Sequence, residues 1–125
     1  MTENDISYKI RGAAYNVYKE LGSGLLESVY EEALYYELQQ IGLKVERQLN
    51  IPIEYKGIHL STTLRLDLIV EDKVIIELKS VAEISNIHFK QLQTYLKLTN
   101  KRLGLLINFN TTNILDDIHR VVNGL

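Results

Sequence analysis

Residues 64–80 read LRLDLIVEDKVIIELKS and are the most informative segment of the sequence about its fold. This segment contains two unbroken apolar runs, at 68–70 and 74–76, and three polar residues between them. Unbroken apolar runs are typical of strands that are covered on both faces. The three polar residues, 71–73, are suited to a short turn. The stretch therefore predicts a buried β-hairpin with charged side chains near its open end.

The length of the turn sets which residues of this hairpin face each other. If all three polar residues form the turn, Val70 pairs with Val74 and Asp67 lies directly across from Glu77. Because side chains alternate along a strand, Asp67, Glu77 and Lys79 then share one face of the sheet. A two-residue turn would shift the register by one and remove Asp67 from this group.

Two carboxylates that face each other across a strand pair repel, so this arrangement needs compensation. Mg²⁺ or Mn²⁺ would provide it, since hard divalent cations prefer carboxylate oxygens. The main-chain carbonyl of Leu78 could be a further ligand, and Lys79 would add a compact positive charge. The alternative is an ordinary solvated ion pair between strands, which Glu77-x-Lys79 would also produce.

Outward from the hairpin, apolar spacing predicts the other elements. Helical spacing precedes the hairpin twice and follows it twice, and strand-like spacing lies on either side. The predicted order is α-α-β-β-β-α-β-α, an α/β (mixed α+β) fold with a four-stranded mixed sheet flanked by helices. The predicted helices span 5–21, 25–41, 86–99 and 114–122, and the predicted strands span 43–55, 58–70, 74–80 and 103–109. A hairpin turn is predicted at Lys56-Gly57, and a break in the 58–70 strand is expected near 61–63.

The composition is that of a globular protein, and we predict one domain over residues 1–125. Hydrophobic residues make up 46% and charged residues 24%, and the formal net charge is −2. Strong electrostatic binding of nucleic acid is not expected from this balance. Cysteine is absent, which excludes disulfides and zinc–thiolate sites. No secretory signal and no apolar run of about 20 residues is visible, so a cytoplasmic protein outside the membrane is expected.

Three segments together resemble a known family. Residues 67–79 are similar to the D-x(n)-E-x-K signature of the PD-(D/E)xK nuclease superfamily. Residues 24–30, GLLESVY, match the G-x-x-E-x-x-Y motif of the bacterial GxxExxY family within that superfamily. Residues 91–95, QLQTY, resemble the Q-x-x-x-Y element of RecB-like nucleases. Leu66 stands where the proline of the superfamily's name would be.

The resemblance implies a restriction-endonuclease-like fold and a divalent metal as cofactor. It also implies roles for six residues: Asp67 and Glu77 as metal ligands and catalytic acids, Lys79 as the catalytic lysine, Glu27 as a metal ligand directly or through water, and Gln91 and Tyr95 as residues that orient substrate or the lysine.

The residues themselves leave alternatives open. Tyr30 is as well suited to core packing, and Glu27 to a first-turn position favoured by the helix dipole. Gln91 and Tyr95, four residues apart, could be an exposed pair on a helix. His88 lies three residues before Gln91, and a structural role is the simpler interpretation of it.

The leading hypothesis is a metal-dependent phosphodiesterase that acts on DNA or RNA. The alternative is a catalytically silent module that keeps the fold and binds nucleic acid or protein. A third hypothesis is an oligomeric scaffold in which the charged residues form only an ion cluster. A homodimer is possible, because tyrosines are enriched at interfaces and five lie on the first two predicted helices: Tyr8, Tyr15, Tyr18, Tyr35 and Tyr36.

Overall fold

The computed structural model describes all residues, 1–125, and contains three α-helices and seven strands. No helix in it has the length and apolar character needed to cross a bilayer. The elements in chain order are α1 (Glu3–Leu21), α2 (Glu27–Gln40), β1 (Val45–Ile51), β2 (Glu54–Tyr55), β3 (Ile58–His59), β4 (Leu64–Val70), β5 (Val74–Lys79), α3 (Asn86–Thr99), β6 (Leu103–Asn108), a single 3₁₀ turn (Ile114–Asp116) and β7 (Ile118–Val122).

Five strands form one mixed sheet in the order β1-β4-β5-β6-β7. Strands β5 and β6 are parallel, as predicted for a strand–helix–strand unit, and all other neighbours are antiparallel. The short strands β2 and β3 form a separate hairpin. The predicted mixed α/β class is confirmed, and parallel pairing places α3 as the connection over one face of the sheet.

Each face of the sheet buries its own apolar core. Helices α1 and α2 cover a cluster of 20 buried residues, which includes Leu68, Val70 and Ile76. Helix α3 covers a smaller cluster of seven, which includes Leu66 and Ile75. The central strands therefore have apolar side chains on both faces, which explains the unbroken apolar runs of the sequence.

The predicted closing helix at 114–122 is wrong. Only a 3₁₀ turn begins there, capped by the side chain of Asn113, and β7 follows as an edge strand paired with β6. The apolar residues at 114, 115, 118, 121 and 122 fit helical spacing. However, Ile118, Val121 and Val122 are β-branched, a type that packs well on a sheet. Because the edge of β6 is free, these residues pair with it as a strand instead of forming a helix. The sheet therefore has five strands rather than the predicted four.

The predicted strand at 43–55 is also shorter in the structure. Strand β1 ends at Ile51, and the chain turns away at Pro52 before the small β2–β3 hairpin. Proline has no backbone N–H to donate to a ladder, so it ends the pairing with β4. The hairpin turn predicted at Lys56-Gly57 is present, and the break expected near 61–63 divides the 58–70 segment at residues 60–63.

Candidate metal centre

The β4–β5 hairpin has the register that a three-residue turn requires. Val70 pairs with Val74, and Glu71 and Asp72 in the turn have positive φ angles of 53° and 55°. The ladder continues to the pair Leu68–Ile76 and ends there, one pair before the two acids. Beyond this point β4 and β5 diverge, and the predicted site lies in the resulting fork.

A second interruption lies on the other side of β4. Strand β1 pairs with β4 at Arg47–Leu68 and at Leu49–Leu66, but Gln48 and Asp67 are not paired. Gln48 has a left-handed φ of 52°, which is rare for a residue other than glycine. The side chains change faces here, because Leu68 belongs to the larger core and Leu66 to the smaller one. Asp67 therefore stands where both of its neighbouring ladders are open.

Two hydrogen bonds bring Asp67 and Glu77 together across the fork. The Leu78 N–H donates to Asp67 Oδ2 at 2.8 Å, and the Asp67 N–H donates to Glu77 Oε1 at 3.4 Å. Each carboxyl group thus replaces a backbone partner that the ladder no longer supplies. The acids meet through the open end of the hairpin, and not as the flat cross-strand pair that the register alone suggested.

Burial and neighbouring negative charges disfavour ionisation of both acids. Burial, and then the negative charge of Asp67, raise the pKa of Glu77 to about 9. The pKa of Asp67 is also raised, by burial first and then by the charge of Glu31. The positive charge of Lys79 acts in the opposite direction on both pKa values. The pair therefore lacks positive charge, the deficit that a cation would correct.

The donor set of this pair fits a hard divalent cation. Mg²⁺ is commonly held by one or two carboxylates while it keeps several waters. Nowhere in the chain do three or more His, Asp or Glu side chains converge closely enough to form a complete metal cage. Asp67 and Glu77 would then hold the ion as a pair, with water and substrate oxygens completing its coordination.

Glu27, in the first turn of α2, lines a cavity that Asp67 also lines. The cavity has a volume of about 200 Å³, and its other lining residues are Ser28, Glu31, Gln48 and Leu78. Its Oε2 accepts a hydrogen bond from the Ser80 N–H at 3.2 Å, directly after Lys79. The structure thus brings Glu27 to the same cavity as Asp67, tied to the end of β5.

Tyr30 fixes the loop that leads into Glu27. Its ring stacks on Phe109 with centroids 4.3 Å apart, and its hydroxyl donates to the Gly22 carbonyl at 2.6 Å. The same hydroxyl accepts from the Leu25 N–H at 3.1 Å. Gly24 between them has a φ of 93°, which favours glycine. Tyr30 thus packs in the core and also holds the loop that places Glu27. We call its ring stack and its two hydroxyl hydrogen bonds the Tyr30 clamp.

Lys79 ends β5 in the register position beside Asn108 of β6. It is partly buried, and its ammonium lies close enough to Asp67 and Glu77 to lower their pKa values. No ion pair within 4 Å engages it. Its charge therefore remains available to a group that approaches the two acids.

Helix α3 brings Tyr95 towards the acids and leaves Gln91 at the surface. The pKa of Tyr95 is raised by its burial and by the negative charges of Glu77 and Asp67. Gln91 is exposed, away from the buried acids. His88 lies a turn earlier, where its Nδ1 accepts from the Ser85 N–H in a capping box, which is a structural role.

Two residues that the sequence analysis missed surround this site. Glu31 is only 6% exposed, and its Oε2 accepts from Arg47 at 3.1 Å. Asn108 is 1% exposed and bonds both the N–H and the carbonyl of Val81, which ties the chain after β5 to β6. The spacing of Glu31, four residues after Glu27 and three before the apolar Leu34, was a usable signal for a buried acid.

Comparison with known families agrees with the geometry. No curated protein matches the chain significantly. The family model of the PD-(D/E)XK nuclease superfamily matches residues 4–121, from the first turn of α1 to the last strand of the sheet. Since this match spans nearly the whole sequence, the chain belongs to the PD-(D/E)XK nuclease superfamily.

Proposed function

We propose that this protein is a metal-dependent nuclease that hydrolyses phosphodiester bonds in DNA or RNA. Membership of a nuclease superfamily supports the reaction class. The observation that carries the proposal is the meeting of Asp67 and Glu77 in the fork between β4 and β5, where burial raises the pKa of Glu77 to about 9. A buried Glu77 in contact with a half-buried Asp67 costs the metal-free fold stability, and acids with such raised pKa values concentrate at functional sites.

The proposed role of each residue follows from the position of its side chain. Asp67 and Glu77 hold Mg²⁺ or Mn²⁺, which when bound supplies an activated water and positive charge against the phosphate. Lys79 holds its ammonium beside the two acids, where it stabilises negative charge on the phosphate oxygens. Glu27 would help to hold the metal, directly or through water, and the hydrogen bond from the Ser80 N–H fixes its carboxylate at the end of β5.

We also propose that the chain belongs to the GxxExxY branch of the superfamily. The Tyr30 clamp supports this, because it gives each of the three motif residues a defined role. Gly24 makes the turn, Tyr30 holds it and Glu27 enters the site. A Q-x-x-x-Y element is supported by Tyr95, whose pKa is raised by both acids. Gln91 would contribute from the surface, to the substrate rather than to the acids.

Residues 1–125 would act as one nuclease domain, and two copies could act together on two strands. Of the five helical tyrosines, Tyr8, Tyr15 and Tyr36 are exposed, and Tyr18 and Tyr35 pack against the larger core. Three exposed tyrosines are available for a contact with a second copy, and sedimentation equilibrium over a range of protein concentrations tests it.

The deciding experiment compares metal binding and cleavage in matched variants. Thermal melting is followed with and without Mn²⁺, and cleavage is assayed on labelled single- and double-stranded DNA and RNA. Asp67→Asn should abolish the metal-induced rise in melting temperature, whereas the exposed Asp72→Asn should retain it. Lys79→Met should lose cleavage and keep metal binding, and Lys97→Met on α3 should lose neither.

Two outcomes would contradict the proposal. Undiminished Mn²⁺ binding in both Asp67→Asn and Glu77→Gln would mean that the fork is not the metal site. Binding of oligonucleotides without cleavage, with both Mg²⁺ and Mn²⁺ and across all four substrates, would instead support a silent binding module.

A further inference from the structure

The interruption of the β1–β4 ladder at Gln48 and Asp67 has an identifiable cause outside both strands. A glutamine in the middle of a strand does not adopt a φ of 52° by preference, since left-handed conformations of non-glycine residues are rare. The pairs on either side keep the same register, so no inserted residue forces the break. Regular alternation would also place Leu66 and Leu68 on one face, so their separation into two cores requires an irregular residue here, and specific contacts must hold Gln48 in that conformation.

Glu31 of α2 makes the contacts that hold it. Its Oε1 accepts a hydrogen bond from the Gln48 side-chain amide. Its Oε2 accepts from Arg47 Nη2 at 3.1 Å and from Arg47 Nε at 3.3 Å, so two consecutive residues of β1 are bound by one buried carboxylate. Arg47 also supplies the opposite charge that a buried carboxylate needs. Glu31 of α2 thus holds these two residues of β1 in place from outside the sheet.

The consequence appears on the opposite strand, at Asp67. Because Gln48 leaves the ladder, Asp67 loses its regular partner on β1, and its carboxylate is turned to the Leu78 N–H. Asp67, Gln48 and Glu31 line the same cavity. A closed ladder would restore regular alternation here and change the direction in which the Asp67 side chain points.

We propose that Glu31, acting through Gln48 and Arg47, is a positioning residue that keeps the β1–β4 ladder open and so aims the Asp67 carboxylate into the metal site. The part of this inference that concerns the metal rests on the proposed function. The part that concerns the ladder does not, and it is measured separately.

The test uses two variants of the full chain that close the ladder by different means. Gln48→Val places a β-branched residue, which strongly disfavours positive φ, at the break. Glu31→Gln removes the charge that binds Arg47 and exchanges an acceptor for a donor. In both, NMR should detect a new contact between the Hα protons of residues 48 and 67, and Mn²⁺ affinity should fall by about 10- to 100-fold, as for loss of an outer-shell partner.

A rescue variant separates positioning from general support of the fold. Glycine adopts positive φ without strain, so Gln48→Gly allows the break without help from Glu31. Added to Glu31→Gln, it should restore most of the lost Mn²⁺ affinity and remove the 48–67 Hα contact. Glu32→Gln, an exposed neighbour with the same charge change, is the control and should leave both measurements unchanged.

The outcomes are distinct for the two proposals. If neither Gln48→Val nor Glu31→Gln produces the Hα contact, or if both lower only the melting temperature at unchanged Mn²⁺ affinity, the positioning role is refuted. If the wild-type protein binds no Mn²⁺ while the Hα contact appears in the variants, the proposed function fails and the control of the ladder by Glu31 stands.

Discussion

At the scale of single residues, Glu77 is the side chain that departs furthest from its ordinary chemistry. Its pKa lies near 9 instead of 4.5, because the folded protein buries it next to Asp67. Because the pKa of Glu77 is raised in the folded protein, its contribution to the free energy of unfolding is largest below about pH 4.5, where Glu77 is protonated in both the folded and the unfolded protein. The stability is then lost progressively as the pH rises towards 9.

Replacing this acid should therefore stabilise the metal-free protein. Glu77→Gln keeps the shape of the side chain and removes its ionisation, so the free energy of unfolding should rise at pH 8, on the order of a few kcal/mol. At pH 5 the difference from the wild type should be small. Urea unfolding in the presence of a chelator measures both values. An equal effect at the two pH values would mean that Glu77 is not protonated in the folded state.

Metal binding should depend on pH in the opposite sense. A cation that binds Glu77 must displace its proton, so Mn²⁺ affinity should increase from pH 6 to pH 9, by up to about tenfold per pH unit for one released proton. Above pH 9 the dependence should level off. Calorimetric titrations in buffers of different ionisation enthalpy count the protons released. Zero released protons at pH 7 would contradict the assignment.

The hydroxyl of Tyr30 holds the 22–25 loop through two hydrogen bonds. Tyr30→Phe keeps the stack on Phe109 and removes the bonds to Gly22 and Leu25, which should cost about 1–2 kcal/mol of stability. The 22–25 loop should also become more sensitive to limited proteolysis. Tyr36→Phe, at a side chain that is 59% exposed, should change neither measurement.

At the scale of elements, the contact between α3 and β6 depends on a glycine. A Cβ at Gly104 would lie 2.9 Å from two atoms of the fully buried Leu92 of α3. The absence of a side chain at Gly104 therefore allows helix α3, which also carries Tyr95, to approach β6 closely.

Alanine substitution at two glycines should give opposite results. Gly104→Ala should destabilise the protein by about 1–3 kcal/mol, because Leu92 must move within a packed core. Gly12→Ala, in the interior of α1 with no atom within 4 Å of the new Cβ, should stabilise it by about 0.5–1 kcal/mol. Denaturant unfolding of both variants checks the pair. A stabilising Gly104→Ala would show that α3 is not held closely against β6.

The elements also differ in how well local spacing predicts them. Helices α1, α2 and α3 follow the predicted bounds closely, since their apolar residues repeat with the helical period. The segment at 114–122 fits a helix equally well, and it is a strand because β6 offers a free edge. The local sequence pattern does not predict that free edge, because the sheet to which it belongs is formed by residues distant in the chain.

At the scale of the whole molecule, charge limits how the protein holds its substrate. The net charge is −2, and the site itself carries two acids, so nucleic acid is not attracted without a cation. With Lys79→Met protein, which should not cut, Mg²⁺ should raise the affinity for a labelled oligonucleotide on the order of tenfold. Fluorescence anisotropy measures the binding. Equal affinity with Mg²⁺ and with a chelator would separate nucleic-acid binding from this site.

The hairpin and the spacing of Asp67, Glu77 and Lys79 along it are predictable from the sequence, because they follow from neighbouring residues and the alternation of a strand. The sequence pattern leaves the turn at either two or three residues, and the folded chain has three, with Val70 paired with Val74. The way in which the acids meet depends instead on contacts between distant parts of the chain. The left-handed Gln48 and the open ladder depend on Glu31, a carboxylate that reaches the strand from another helix, and only folding brings these residues together.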